Sequence, residues 1–90
     1  MVIESFKPGK ARAIYERLAQ SGRQMPAGLT YVGSWVTDDL MTCYQVMECA
    51  DPALLDEWMA AWADLMDFDV VPVISSDQAR EKAMLLSAGG

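Results

Sequence analysis

The chain has 90 residues, of which 52% are hydrophobic and 22% are charged, a composition typical of a globular domain with one core. Its 13 acidic and 7 basic side chains give a net charge of −6, opposite in sign to that of a general nucleic-acid binder. The chain has no histidine, which excludes a Ser-His-Asp triad and any zinc or haem site with a histidine ligand. We expect a single domain over residues 1–90, with its core in 1–75 and a C-terminal helix and tail in 76–90.

Neither a secretory signal nor a membrane span is predicted. Residues 1–10 lack a basic start followed by an apolar run, and the longest apolar stretches fall far short of about 18 residues. Cys43 and Cys49 lie on one predicted strand, roughly 20 Å apart, which is too far for a disulfide. We therefore expect free thiols, a cytoplasmic protein, and neither a membrane nor a nucleic-acid partner.

The first half of the chain predicts a strand, a helix and a hairpin. Residues 1–6 form a β-rich run that ends at a Pro-Gly pair. Apolar side chains then recur at helical spacing through 10–22, and the final glycine suits a helix C-cap. Residues 29–37 and 41–49 are rich in β-branched and aromatic side chains, and Asp38-Asp39 between them indicates a turn.

The second half predicts a helix, a strand and a closing helix. Asp51-Pro52 suits the start of the second helix, whose apolar spacing continues to Met66. Residues 68–74 form the last predicted strand, and Ser75 or Ser76 can cap the closing helix.

The element order predicts the fold class. A β-α-β-β-α-β order with a tail helix is the ferredoxin-like split βαβ motif, an α+β fold. It has an antiparallel sheet, both main helices on one face, and strand order 4-1-3-2. Pro72 in the predicted fourth strand is compatible with its place at an edge.

Alternation along the hairpin predicts which side chains face the helices. An even-length turn puts one aromatic set, with a single carboxylate, on the face that the helices leave open. That set is too apolar to remain in water, so we expect a homodimer in which two sheets pack face to face and enclose a cavity. The open set is Tyr31, Gly33, Trp35, Tyr44, Val46 and Glu48, and the helix-covered set is Val32, Val36, Cys43, Gln45 and Met47.

Several stretches resemble a known family. They are Tyr31-Val32-Gly33-Ser34-Trp35, then Trp-x3-Trp-x-Asp-Leu over 58–65, and Asp-Phe-Asp-Val-Val-Pro-Val over 67–73. This pattern resembles a family of small, mostly bacterial proteins classed as a domain of unknown function within the dimeric α+β barrel superfamily. The resemblance implies the fold and a homodimer, and it supplies no catalytic residues. Other branches of the superfamily include cofactor-independent monooxygenases, small-ligand sensors, and haem enzymes that need an axial histidine.

Two groups of side chains are candidates for lining the cavity. Tyr31, Trp35 and Tyr44 can line a pocket for a flat apolar molecule, or can serve as ordinary dimer-interface packing. Glu4, Glu48 and Asp69 lie inside neighbouring predicted strands and, if they share a face, can form a general acid or base or hold a hard cation. Pairing with Arg or Lys is the alternative. We expect no cofactor and no metal site.

Three hypotheses about function follow. The first is a homodimeric module that binds or senses a small apolar or aromatic ligand between the sheets. The second is a cofactor-independent monooxygenase or isomerase acting on an aromatic or quinone-like substrate. The third is a structural homodimer without a ligand. The sequence contains none of the common enzyme motifs, so motifs do not decide among these hypotheses.

Overall fold

The computed structural model describes residues 1–89, with side chains to residue 86, so that Gly90 of the predicted tail lies outside the described residues. The elements are β1 (Val2–Phe6), α1 (Ala11–Ser21), β2 (Leu29–Val36), β3 (Thr42–Cys49), α2 (Ala53–Trp62), β4 (Met66–Val70) and α3 (Ser76–Gly89). All four strands pair antiparallel in the order β2-β3-β1-β4. The predicted α+β, ferredoxin-like topology, with β4 at an edge, is confirmed.

The core lies between the sheet and the two main helices. Its buried side chains come from three strands, both helices and the turn after α2: Val2, Ile14, Leu29, Trp58, Trp62, Leu65 and Met66. The helix ends follow the predicted signals. Gly22 closes α1 at a φ of 65°, which glycine adopts without strain, and the Asp51 carboxylate accepts the Ala53 N–H at 3.0 Å where α2 begins.

The last strand differs from its prediction. It spans Met66–Val70 rather than 68–74, and the preceding helix ends at Trp62 rather than near Met66. The partner strand sets these bounds, because Phe6 pairs with Met66 and Val2 with Val70. Pro72, which has no N–H to donate, therefore lies beyond the strand rather than inside it.

The hairpin has a four-residue turn and one irregularity. Thr37 and Thr42 close the turn with an N–H···O bond of 2.9 Å, so its length is even, as predicted. A shift in pairing between Tyr31 and Gly33 makes Val32 an extra residue in β2. Because an extra residue exchanges faces along a strand, Tyr31 lies opposite Met47 on the helix-covered side and Val32 is exposed. The predicted faces of Tyr31 and Val32 are therefore wrong.

The C-terminal arm, residues 71–86, follows β4 and is joined at Val71 to Met1 by two hydrogen bonds of 2.8 Å. The predicted cap is present, since Gln78 N–H donates to Ser75 Oγ at 3.1 Å and Ser75 N–H donates to Gln78 Oε1 at 3.0 Å. Every side chain of the arm is exposed. Its exposed apolar residues are Val71, Val73, Ile74, Met84, Leu85 and Leu86.

Candidate functional site

The structure divides the six predicted cavity residues between the two faces of the sheet. Trp35, Tyr44, Glu48 and Asp69 belong to the open face, which the helices do not cover. Tyr31 and Glu4 belong to the helix-covered face: Tyr31 because of the bulge, and Glu4 because it pairs with Cys43 and Phe68. The predicted common face for all six residues is wrong for these two.

On the open face, four paired positions form a row across the sheet. Trp35 pairs with Tyr44, Tyr44 with Ile3, and Ile3 with Asp69. Directly paired side chains lie about 5 Å apart, so the row runs from an indole to a carboxylate over apolar groups. Glu48 lies four residues along β3 from Tyr44, roughly 13 Å away, and so stands apart from Asp69.

Trp35 is the most exposed aromatic side chain of the row. It is 64% exposed and Tyr44 is 41% exposed. The indole extends over Gly33, where an added Cβ would come within 3.3 Å of Trp35 Cη2. The missing side chain at Gly33 therefore leaves room for the ring to lie along the sheet.

Under the helices, the structure reveals a polar cluster that the sequence did not predict. Glu4 and Gln45 are only 5% and 4% exposed, and Cys43 lies beside them. Burial raises the pKa of Glu4 from 4.5 to about 7, while the nearby Cys43 thiol and the charge of Arg23 oppose part of the increase. The cluster thus holds a carboxyl group that exchanges its proton near neutral pH.

Arg23, in the connection between α1 and β2, closes one side of this cluster. Its guanidinium lies 3.8 Å from the centre of the Tyr31 ring, a cation–π contact. Its backbone carbonyl accepts hydrogen bonds from Trp58 Nε1 at 2.9 Å and Trp62 Nε1 at 3.1 Å. Both tryptophans are buried, as predicted for core packing, and their polar ends also fix the Arg23 backbone.

A cavity of about 20 Å³ lies within the cluster. Its polar lining is Glu4, Arg23 and Gln45, and its apolar lining comes from α1, α2 and Met66 of β4. Arg23 Nε and Gln45 Nε2 are buried without a hydrogen-bond partner among the described residues. The cavity is large enough for one water-sized oxygen atom, and both donors are free to serve it.

The sequence carried one signal for this cluster. Gln45 was correctly predicted to face the helices, where a buried amide needs a partner. Arg23 was predicted only as part of a loop, and the sequence gives no sign that it returns to the sheet.

Groups of three or more Cys, Asp or Glu side chains that can hold a metal ion are not found in the described part of the chain. Within the same residues, no helix has the length and apolarity needed to cross a membrane.

A comparison with known families gives a match over nearly the whole chain. Residues 1–86 match the family described as "Domain of unknown function (DUF3303)". The chain belongs to this family. The match to DUF3303 covers β1 through β4 and most of α3, so the open face and the interior cluster both lie inside the DUF3303 domain. The resemblance inferred from the sequence is confirmed at the level of the family. Neither the curated proteins nor the solved structures contain a match to this DUF3303 chain.

Proposed function

We propose that this protein is a homodimeric, cytoplasmic module that binds a small aromatic ligand, and that its two sheets pack open face to open face as in the dimeric α+β barrels. The exposed row headed by Trp35 carries the proposal. Burying a large apolar side chain stabilises an assembly by about 1.5–3 kcal/mol. A second copy offers the same row, because the two partners of a two-fold interface present the same surface.

The charge distribution and the C-terminal arm support self-association. Residues 38–79 carry ten acidic and no basic side chains, and Asp67, Asp69 and Glu48 lie on the open face. The next cations along the chain are Arg80 and Lys82 on the exposed helix α3. An arm reaching a second copy would bring these cations towards its carboxylates while covering its own apolar residues.

The row also defines the ligand. Trp35 and Tyr44 present flat apolar rings with one polar atom each, and Asp69 ends the row with an acceptor. A planar aromatic molecule carrying one hydroxyl group matches this order of groups. Catalysis between the sheets is less well supported, because Glu4 lies on the other side of the sheet and Glu48 and Asp69 lie far apart.

A pair of tyrosines provides the test of the dimer. Tyr44 on the open face and Tyr15 on α1 are 41% and 44% exposed. Sedimentation velocity over a range of concentrations should show a dimer that Tyr44→Ala weakens and Tyr15→Ala leaves unchanged. A wild-type protein that stays a 9.9 kDa monomer at micromolar concentration would refute the proposal.

Ligand binding needs a separate measurement. 1-Naphthol bound between the sheets should quench the fluorescence of Trp35 in the dimer, and Trp35→Phe should remove that response because Trp58 and Trp62 are buried on the other side of the sheet. Native mass spectrometry of the purified protein should show any retained ligand together with the stoichiometry. A dimer that binds no member of a planar aromatic panel would leave the structural homodimer as the function, and quinol-dependent oxygen uptake would favour the monooxygenase.

A further inference from the structure

We propose that the polar cluster under the helices is a proton-operated switch, in which the Arg23 side chain moves from the face of the Tyr31 ring to the carboxylate of Glu4 when Glu4 loses its proton. The switch lies on the side of the sheet that the helices cover, opposite the aromatic row. It acts without a second copy of the chain and without a ligand, and so does not rest on the proposed dimer.

The Arg23 side chain lies between two partners. Its guanidinium is 3.8 Å from the centre of the Tyr31 ring. Arg23 and Glu4 also line the same cavity of about 20 Å³, a space for about one water molecule. The Nε of Arg23 is buried and has no hydrogen-bond partner in the described part of the chain. One donor of the guanidinium is therefore free to serve the carboxyl group, directly or through one water molecule.

The backbone of Arg23 is fixed, so its side chain is the part that moves. Trp58 Nε1 and Trp62 Nε1 both donate hydrogen bonds to the Arg23 carbonyl. The next residue, Gln24, has a φ of 56°, a left-handed conformation that a residue other than glycine keeps only where its surroundings hold it. Rotation about the side-chain bonds of Arg23 needs no change in this backbone.

The charge of Glu4 decides between the two partners. While Glu4 holds its proton, it has no charge to attract the guanidinium, and the cation stays against the negative face of the Tyr31 ring. An ionised Glu4 is a buried charge, since its residue is only 5% exposed, and Arg23 is the cation that stabilises it. A hydrogen bond to a buried charged group is stronger than a cation–π contact, so ionisation draws Arg23 to the carboxylate. Burial raises the pKa of Glu4 to about 7, which places this exchange near neutral pH.

The other groups around Glu4 do not compete for this role. On β3, burial raises the pKa of the Cys43 thiol, directly opposite Glu4, to about 12, so the thiol stays neutral. On β2, the Tyr31 hydroxyl shares a hydrogen bond of 2.7 Å with Ser34 Oγ. The residues of α1, α2 and β4 that line the cavity are apolar or carry an indole. The proton of Glu4 therefore controls the position of Arg23.

NMR of the wild-type protein tests the switch directly. At pH 5 the ring current of Tyr31 should shift the side-chain signals of Arg23 upfield, because the guanidinium lies over the ring. Between pH 5 and pH 8 these signals should move downfield with the same midpoint as the Glu4 carboxyl carbon, near pH 7. Arg23 signals that stay constant while Glu4 titrates would overturn the proposal, and so would a Glu4 that does not titrate in this range.

Two variants should move the Glu4 midpoint in opposite directions. Arg23→Met removes the cation that stabilises the carboxylate and should raise the midpoint by about one pH unit. Tyr31→Leu removes the competing partner of Arg23 and should lower the midpoint. Arg12→Met and Tyr15→Leu make the same changes at exposed positions of α1 and should leave it unchanged. A Tyr31→Leu midpoint equal to or above that of wild type would show that the ring and the carboxylate do not compete for Arg23. The wild-type titration decides the question if either variant does not fold.

Discussion

Glu4 and Cys43 lie directly opposite each other on β1 and β3, and both face the helices. Burial raises the pKa of each group, to about 7 for the carboxyl and about 12 for the thiol. The charge of Glu4 also opposes ionisation of the thiol, whereas the hydrogen bond from the Cys43 thiol favours the ionised carboxyl and offsets part of the increase in its pKa. Near neutral pH the Glu4 carboxyl can therefore lose its proton, whereas the Cys43 thiol keeps its proton.

Replacing Glu4 should change how stability depends on pH. The folded-state pKa of Glu4 is higher than the unfolded value of 4.5, so the folded protein holds this proton more tightly. The stabilisation from this proton is fully present below about pH 4.5. As the pH rises to about 7, the free energy of unfolding falls by about 3 kcal/mol in total on its account. Glu4→Gln should remove this loss, so the variant should gain stability relative to wild type between pH 5 and pH 8.

Urea unfolding at several pH values and one fixed protein concentration measures this difference. Glu48→Gln removes an exposed carboxylate from the same sheet and serves as the control. Parallel pH profiles for wild type and Glu4→Gln would contradict a buried, titrating Glu4.

The two thiols should differ in reactivity. Both cysteines are free, as predicted, but Cys43 is buried with a raised pKa whereas Cys49 is partly exposed. Since the thiolate is the reactive form, iodoacetamide should modify Cys49 first and leave Cys43 unmodified in the folded protein. Peptide mass spectrometry over time identifies the site. Equal labelling of both residues before unfolding would contradict a buried Cys43 with a raised pKa.

The two tryptophans that share the Arg23 carbonyl should be energetically coupled. Trp58→Phe or Trp62→Phe alone leaves one N–H donor on this carbonyl, whereas the double variant leaves none. The double variant should therefore lose about 1 kcal/mol more than the sum of the single losses, which is the penalty for a buried acceptor without a partner. Chemical unfolding of all four proteins closes the cycle, and strictly additive losses would argue against a shared acceptor.

Deleting α3 from the C-terminal arm should separate assembly from folding. A chain ending at Ser75 loses α3, whose described side chains are all exposed. We expect the unfolding free energy of the monomer to change by less than about 0.5 kcal/mol, as for surface changes in general. The dimer should weaken if the arm covers a second copy. Analytical ultracentrifugation of both lengths, with Leu40→Ala as an exposed apolar control in the hairpin turn, measures the effect. An unchanged dissociation constant would show that α3 takes no part in assembly.

Local sequence signals determined the order and type of every element. Helical spacing, the Gly22 cap, the Asp51-Pro52 start and the even turn after Thr37 act over a few residues, so they could be read without the fold. The ends of elements that depend on a distant partner strand could not be predicted in this way. The length of β4 was wrong because β1, more than sixty residues away, decides where its pairing starts and stops.

The candidate sites depended on tertiary structure to a greater degree. Alternation correctly placed Trp35 and Tyr44 on the open face, because both lie on the same side of the bulge. One extra residue at Val32 moved Tyr31 to the other face, and strand pairing placed Glu4 beneath the helices. Periodicity, turn signals and strand alternation were enough to predict a ferredoxin-like chain with an aromatic open face. Only the packing of α1 and α2 on the sheet brought Arg23, Glu4 and Gln45 around one cavity, because burial and pairing arise from contacts between residues far apart in the chain.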